Sequence, residues 1–396
     1  MKINILAVHN YYQYQGGEEQ VFQSESKLLE ANGHQVCRYT IDNHQIAAMS
    51  SLSLMGKTLW NQKVYREMRS QIRQKQIQIA HFHNTFPLIS PSAYYACQAE
   101  GIPVIQTCHN YRLLCPNGMF LRDGKVCEAC LDKFVPLPSI QHGCYRGKRL
   151  PSAGVTAMLT SHRIAQTWKH RVNTYLALTD FARQKLIQGG IPAEKVVVKP
   201  NFVDPDPGEG KGTGKYALFV GRLSQEKGID LILSAWKQIG EKFPLKIVGD
   251  GPLAHQVALA SEQIPEISLL GRKTLEDVYE LMKEATFLVF PSLWYEGLPR
   301  TIIESFAVGT PVIAANLGSM SSLIRPGING LHFQTGNATE LARSVLWAAN
   351  HLGEMKRLRS LTRAEFIEKY TAKENYRQLS TIYQQALGYS TEKIKL

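Results

Sequence analysis

No stretch of this 396-residue chain strings together the roughly 18 apolar residues that suggest a membrane-spanning helix. The apolar start, Ile3–Val8, is too short for a signal peptide, and no cleavage-type small residues follow it. A soluble, cytoplasmic protein is the expectation. Helix-turn-helix, RNP and finger signatures are missing, so nothing supports nucleic acid as a partner. No period of the solenoid kind repeats. Acidic residues are scarce in the first half. Residues 1–200 hold 12 Asp and Glu against 23 Lys and Arg, whereas residues 201–396 hold 21 against 22. Nearly all of the net charge of +12 therefore sits in the first half. A basic half implies an anionic partner, either a phosphorylated acceptor or an anionic membrane surface, unless it is mere unevenness of surface charge. What is present is a globular composition, 44% hydrophobic and 20% charged, long enough for two domains.

Short apolar segments alternate with amphipathic ones. Lys2–His9 reads as a buried strand, followed by the turn Gln15-Gly16-Gly17-Glu18-Glu19 and a helix from about Gln20 to Asn32 that Gly33 stops. Strands follow at Gln35–Tyr39, Ile77–His83, Val104–Thr107, Thr174–Leu178 and Val196–Lys199, with helices at Pro91–Gln98, near 153–169 and at 180–188. Such alternation means a parallel sheet covered on both faces. Residues 200–214 are the richest in Pro and Gly and read as an interdomain linker. A second series begins at once, with strands at Tyr216–Val220, Leu245–Val248, Ile267–Leu270, Phe287–Phe290 and Val312–Ala315, and a charged helical segment over 338–387. Two doubly wound domains in series leave a cleft at the carboxyl ends of their strands, where ligands of such sheets bind.

Two clusters lie at strand ends of the second series. In Phe219-Val220-Gly221-Arg222-Leu223-Ser224-Gln225-Glu226-Lys227-Gly228 a strand runs into glycine and a helix opens after Lys227-Gly228. Glycine lets the backbone approach a phosphate, and the helix N-terminus supplies N–H groups. Arg222 offers a bidentate fork and Lys227 a mobile charge, which together suit a diphosphate. A surface turn with two solvated charges would read the same way taken alone. In Phe290-Pro291-Ser292-Leu293-Trp294-Tyr295-Glu296-Gly297-Leu298-Pro299-Arg300-Thr301-Ile302-Ile303-Glu304 a buried strand enters a turn, and a helix begins near Pro299. Glu296 lies in the loop and Glu304 on the helix. Two carboxylates must face hydroxyls, such as a ribose and a transferred sugar. A Glu favoured by the helix dipole plus an ordinary helical Glu would be the plainer account. It covers Glu304 poorly, because its helix is apolar nearly all round and a buried carboxylate without a partner is costly.

The pair Gly-Arg-x4-Lys-Gly and Glu-Gly-x-Pro-x4-Glu, about 70 residues apart, resembles the retaining GT-B glycosyltransferases with a Glu-x7-Glu motif, the group 1 and family 4-like enzymes. The resemblance covers essentially the whole chain. It implies an α/β fold of two Rossmann-like doubly wound domains facing across a cleft. It implies that Arg222 and Lys227 hold the donor diphosphate, that Glu304 binds the ribose hydroxyls and that Glu296 contacts the donor sugar. Gly297, Leu298 and Pro299 fall in the same donor loop. Val248-Gly249-Asp250-Gly251-Pro252 resembles the family's loop beside the nucleotide, and Gly271-Arg272 its base-contacting loop. Pro200-Asn201-Phe202-Val203-Asp204 is similar to the family's Pro-Asn-Gly-Val-Asp, with Phe202 in place of Gly.

On the first-domain side, Gly16-Gly17-Glu18-Glu19 occupies the phosphate-approach position of a Rossmann half, without the full G-x-G-x-x-G. The resemblance implies that this turn, Gly17 above all, closes over the donor phosphates. His81, His83 and His109 fall at strand ends. The resemblance gives His109 contact with the transferring sugar, whereas His81 and His83 read equally as core residues, with His83-Asn84 able to face the acceptor. No strong side-chain nucleophile is evident. The resemblance implies that the leaving diphosphate deprotonates the acceptor on the same face while Arg222, Lys227 and helix N–H groups stabilise its charge. No Asp-x-Asp metal-diphosphate motif lies near the site, so no catalytic metal is expected.

Four of the seven cysteines, Cys115, Cys127, Cys130 and Cys144, fall in an insertion at about 111–150 with spacing C-x11-C-x2-C-x13-C. In a reducing compartment clustered thiols bind metal more often than they pair, and this set suits tetrahedral structural zinc. Buried free thiols, or a redox or iron–sulfur role, are the alternatives. Cys37, Cys97 and Cys108 read as core. The domains expected are 1–200, carrying the insertion, then 201–375 for the nucleotide sugar, then a helix at 376–396 packing back on the first domain.

The function expected is transfer of a hexose from a UDP-sugar, or else GDP-mannose, to a glycan or lipid-linked acceptor in polysaccharide or glycolipid synthesis. The enzyme would work in the cytoplasm, peripheral on the inner face of a membrane. A sugar-nucleotide epimerase, a phosphorylase (for which no pyridoxal phosphate motif is seen) or a non-catalytic nucleotide-sugar-binding protein are the other readings.

Overall fold

The computed structural model describes residues 2–13 and 16–389. Gln15 of the first turn and residues 390–396 of the C-terminal helix expected from sequence lie outside them. The chain divides into two compact units. The first comprises 1–120, 128–201 and 375–396, and the second 121–127 and 202–374.

In the first unit, strands β1 (Asn4–Tyr11), β2 (Gln35–Asp42), β3 (Ile79–Asn84) and β4 (Val104–Cys108) are joined later in the chain by β7 (Thr174–Ala177) and β8 (Val196–Val198). Their order is β2-β1-β3-β4-β7-β8, all parallel. β3 and β4 are buried at every position, as strands covered on both faces must be. The short strands β5 (Leu121–Arg122) and β6 (Lys125–Val126) form an antiparallel hairpin within the insertion, which groups with the second unit.

The helix after β1 is Gly17–Ala31, three residues longer at its start than the sequence reading placed it. The Glu19 carboxylate explains the early start. It accepts from the backbone N–H of Gly16 and of Tyr12, both at 2.9 Å, and so satisfies donors that the first turn would leave open. Two helices between β2 and β3, Ser51–Leu59 and Gln62–Gln74, were not foreseen.

The second unit contains β9 (Ala217–Val220), β10 (Leu245–Val248), β11 (Ile267–Gly271), β12 (Phe287–Phe290), β13 (Val312–Ala315) and β14 (Gly330–Phe333), in the order β11-β10-β9-β12-β13-β14. That is the doubly wound Rossmann order, with the reversal between β9 and β12. β14 escaped the sequence reading because only four residues form it and two are half-exposed. Trp236, fully buried, anchors the core beneath β9 and β10, and its indole N–H donates to the Phe243 carbonyl at 2.9 Å.

Residues 206–214 are not a free tether. Gly210, Gly212 and Gly214 donate backbone N–H bonds to Val308, Lys283 and Glu284, and Asp206 takes a fork of bonds from Arg363 at 2.6 and 2.8 Å. The Gly residues that mark a linker in sequence serve here as close-approach points, since a Cβ on Gly210 would stand 2.3 Å from the Lys283 backbone. The crossing between units falls near the start of the expected linker, between Asn201 and Phe202, and the return falls between Glu374 and Asn375.

From Asn375 onward the last helix belongs to the first unit, where Leu379, Ile382 and Tyr383 pack with Ile3, Ile5, Leu29, Ile79, Ile105 and Leu176. No helix among the described residues is long and apolar enough to cross a membrane. Leu379 is fully buried in this cluster, so Leu379→Ala is expected to lower stability by about 2–5 kcal/mol. Denaturant unfolding followed by a probe in the first unit checks it.

Candidate active site

The reversal of strand order in the second sheet separates the loop after β9 from the loop after β12, and both sequence clusters lie there. Gly228 has φ of +77°, and a Cβ on it would stand 2.3 Å from the Pro291 carbonyl oxygen. Only glycine lets these two loops dock. Docking brings the Lys227 ammonium to 2.6 Å from Glu296 Oε1, which also accepts from the Ser292 hydroxyl at 2.8 Å. Lys227 Nζ lies over the rings of Phe290 and Trp294 at 5.9 and 5.4 Å. Ser319 donates to the carbonyls of Glu296 and Gly297 and braces the loop from behind.

Glu304 lies on the helix Arg300–Ala307 with Pro299 as N-cap. It is 7% exposed, and its partner is Arg300, one turn earlier, at 3.1 Å. Burial raises its pKa, and Arg300 opposes the rise. Leu298 is buried and seats the loop.

A second pair of loops stacks beside these. Gly221 N–H donates to Val248 and Leu223 N–H to Asp250, while Gly249 N–H donates to Gly271. Gly249 has φ of +146°, and a Cβ there would meet the Gly221 carbonyl oxygen at 1.8 Å. Gly251 likewise passes against Leu223. Arg272 pairs with Asp250 at 3.1 Å on the surface, and Arg222 is exposed at the mouth of the β9 loop. The structure thus gathers Gly221, Arg222, Lys227, Gly249, Gly251, Arg272, Glu296, Gly297, Leu298 and Pro299 on the loops at the carboxyl ends of β9 to β12, with Glu304 on the helix that follows them.

In the first unit the carboxyl ends of β1, β3 and β4 carry a buried polar network. Glu25, on the inner face of the helix Gly17–Ala31, accepts from the Lys199 ammonium at 2.9 Å. Its other oxygen lies 3.3 Å from His81 Nδ1 and from His83 Nε2. His83 Nδ1 meets His109 Nε2 at 3.0 Å. His81 bonds Tyr383 and Thr107, both at 2.7 Å. Glu25, His81, His83 and Lys199 are all under 5% exposed.

Burial alone would raise the Glu25 pKa, but Lys199, His81 and His83 together hold it well below the carboxylate range. Burial, then the neighbouring imidazoles, lower His109 well below its ordinary value and push His9 and His81 to about 3. His83 thus faces Glu25 with Nε2 and His109 with Nδ1, so the roles of donor and acceptor along this chain are linked through the His83 ring. His109 is half-buried, and its Nδ1 is the ring nitrogen that does not face His83.

Glu25, His81 and His83 are the one group of three such residues, among those described, whose ligand atoms lie within 4.8 Å of one another. They do not fit a resident cation, because Lys199 already neutralises Glu25 and both His81 nitrogens are engaged. The four insertion cysteines form no such group among the described residues. Cys115 Sγ donates to Asn117 at 3.0 Å and Cys130 Sγ to the Pro136 carbonyl at 3.9 Å. Their sulfurs meet oxygen acceptors where zinc would need them to converge, so the zinc expectation finds no support. His83 and Asn84 do not present their side chains outward. His83 is used on both nitrogens, and Asn84 ties the Asn10 carbonyl to the next loop.

Gly16 and Gly17 open the first helix without needing a left-handed conformation. Beside them, Asn110 donates to Tyr12 at 3.2 Å and to Glu18 at 3.4 Å. Burial, then Glu19, push the Glu18 carboxyl up to about 8. Glu25 and Lys199 were missed in the sequence. The available signal was a carboxylate in the apolar stripe Val21, Phe22, Ser26, Leu29, and a lysine ending the strand Val196–Val198.

Removing one partner of a buried ion pair strands the other, so Glu25→Ala is expected to lower stability by about 3–5 kcal/mol. Glu25→Leu with Lys199→Met should recover most of it in thermal unfolding. The unfolded chain protonates His9 and His81 near pH 6.5, while the folded chain resists until about 3. Across that window the unfolded state binds more protons. Stability should therefore fall as pH drops from 6.5 towards 3, by up to about 1.4 kcal/mol per pH unit for each histidine. Replacing either histidine by Phe should flatten the slope.

Residues 15–207 match the family model Glycosyltransferase Family 4, and residues 204–364 match Glycosyl transferases group 1. The chain is 30% identical over 179 residues to an uncharacterized glycosyltransferase of Methanocaldococcus jannaschii, MJ1178, covering 45% of this chain and 50% of the relative. It is 28% identical over 223 residues to the amylovoran biosynthesis glycosyltransferase AmsK of Erwinia amylovora, covering 52% and 55%. It thus spans about half the length of these curated relatives. Among solved structures, Anabaena Alr3699/HepE in complex with UDP-glucose matches with a TM-score of 0.69 at 15% identity, over 97% of this chain and 100% of that one. The two glycosyltransferase models thus match the chain in series from residue 15 to residue 364, on the two-unit GT-B fold.

Proposed function

We propose that the protein transfers a hexose from a nucleotide-diphosphate sugar, a UDP-sugar by preference, to a hydroxyl of a glycan or glycolipid with retention of configuration. The observation that carries this reading is the Lys227–Glu296 pair, at 2.6 Å, set in glycine-built loops at the strand-order reversal of the second sheet. A lysine held there between two aromatic rings is poised to leave Glu296 for a diphosphate, which frees Glu296 to take a sugar hydroxyl.

Arg222, exposed on the same loop, would add a fork to the same diphosphate. The open N–H groups of the helix at Arg300 would do the same from the backbone. Glu304 would take the ribose hydroxyls. On the first unit, the Gly16-Gly17 turn would close on the phosphates, and the His109 Nδ1 would accept from a hydroxyl of the transferring sugar. The developing charge is on the leaving diphosphate, so its cations and N–H donors carry the catalysis. The solved Anabaena structures described as complexes with UDP and UDP-glucose favour uridine over guanine as the base.

The test is a melting-temperature screen with UDP, GDP and ADP and their hexose conjugates. UDP should stabilise the native protein by mass action, and Glu304→Ala should abolish the shift. Lys227→Ala should slow acceptor-dependent donor turnover about 10²–10³-fold. NMR of the product should show the donor's anomeric configuration. No shift with any nucleotide would overturn the reading, and turnover of donor without acceptor would replace it with an epimerase.

A further inference from the structure

The first unit holds a cavity of about 290 Å³ between the helices Ser51–Leu59 and Arg149–Ile164. Ile46, Leu54, Met55, Phe86, Leu150 and Val155 line it. Its lip is apolar and open to solvent. Leu52 is 77% exposed, Leu150 70% and Met55 37%. A monomeric surface seldom leaves large aliphatic side chains clustered around an opening unless something apolar enters it.

The charge around the opening has one sign. Residues 43–66 contain three Lys and Arg and no Asp or Glu, and residues 133–179 contain seven and none. These two acid-free segments supply most of the cavity wall. Arg146, Lys148 and Arg149 stand exposed at the start of the second helix, whose first turn has no acidic residue. Cations at a helix N-terminus oppose its dipole, so they do not serve the helix. No carboxylate pairs with them among the described residues.

The cavity wall also reaches the polar site. Arg112 lies over the Phe86 ring at 4.5 Å and the Tyr145 ring at 5.2 Å, both of which line the cavity. Its backbone N–H donates to Asn110, the neighbour of His109 and a partner of Glu18.

An apolar slot, a cationic rim and a polar site one residue pair away describe the three parts of one molecule. We infer that the cavity seats the hydrocarbon chain of a phosphate-bearing lipid acceptor, with its phosphate at Arg146, Lys148 and Arg149 and its reacting hydroxyl towards His109. The inference rests on the transferase reading and adds the acceptor class to it.

The test uses hexyl, octyl and decyl phosphate, each below its micellar concentration, with inorganic phosphate as the tailless control, in titration calorimetry on the whole protein. Affinity should climb about four-fold per added methylene and then level off once the cavity is full. Gly154→Leu narrows the slot. A Cβ at Gly154 meets only Met55 Cγ at 3.8 Å, an ordinary contact, so the variant should fold and should weaken decyl phosphate at least ten-fold. Leu52→Asp with Leu150→Asp, both on the surface, should do the same, and Arg146→Ala with Arg149→Ala should weaken every chain length by a similar factor.

A flat chain-length series, decyl phosphate no tighter than inorganic phosphate, or full affinity in both apolar variants would overturn the inference. The UDP-induced melting shift should persist in all the variants. If that shift is missing in the wild type while the climb and plateau hold, the donor reading fails and the lipid slot stands.

Discussion

All strands of the two six-stranded sheets run parallel, and much else follows from that constraint. A parallel pair cannot close through a tight turn, so every link crosses a face, and the loops at the carboxyl ends collect along one edge. In the second sheet the links leave β9 and β12 on opposite sides, and the gap between them is where two loops can meet. They meet through Gly228 against Pro291, which is why Lys227 reaches Glu296. In the first sheet the same edge gathers the ends of β1, β3 and β4, and with them Asn10, His83 and His109.

Charge inside this protein is almost always answered. Lys227 has Glu296, Arg300 has Glu304, and Lys199 has Glu25. Buried pairs of this kind are weak sources of net stability, because desolvation consumes most of the Coulomb gain. Their worth lies in position. A lysine held beside a carboxylate and partly withdrawn from water, as Lys227 is, has its charge fixed in one place. The Glu25 network acts differently. It ties His81, His83 and Lys199 to one buried carboxylate and links His109 to it through His83, an arrangement no single residue of the chain could hold alone.

Much of this was legible in sequence because the signals were local. Leu245–Val248, Phe287–Phe290 and Val312–Ala315 are strands at the boundaries read from their apolar runs, since a strand buried on both faces has no alternation to blur it. Gly221 read as a point where the backbone nears a phosphate, and Gly249 and Gly251 as part of a loop beside a nucleotide; in the fold Gly249 and Gly251 pack against the backbone of Gly221 and Leu223. What failed was long-range or composite. The cysteine spacing looked like a metal set, but spacing says nothing of where sulfurs point. The run 200–214 read as an interdomain linker; the crossing between units does fall in it, after Asn201, but Gly210, Gly212 and Gly214 further along are contact points within the second unit.

The residues themselves determined the class of fold, its two large parallel sheets and the glycine-bearing loops at the strand ends of the second. Period, length and glycine placement are properties of neighbouring residues, and those are readable in order. Only the tertiary structure decided that Glu25 would face Lys199, 174 positions away, or that helices starting at Ser51 and Arg149 would enclose an apolar slot. Such encounters depend on which faces of distant elements the sheet brings together. A carboxylate on a helix stripe carries no mark of its partner until the strand beside it is in place.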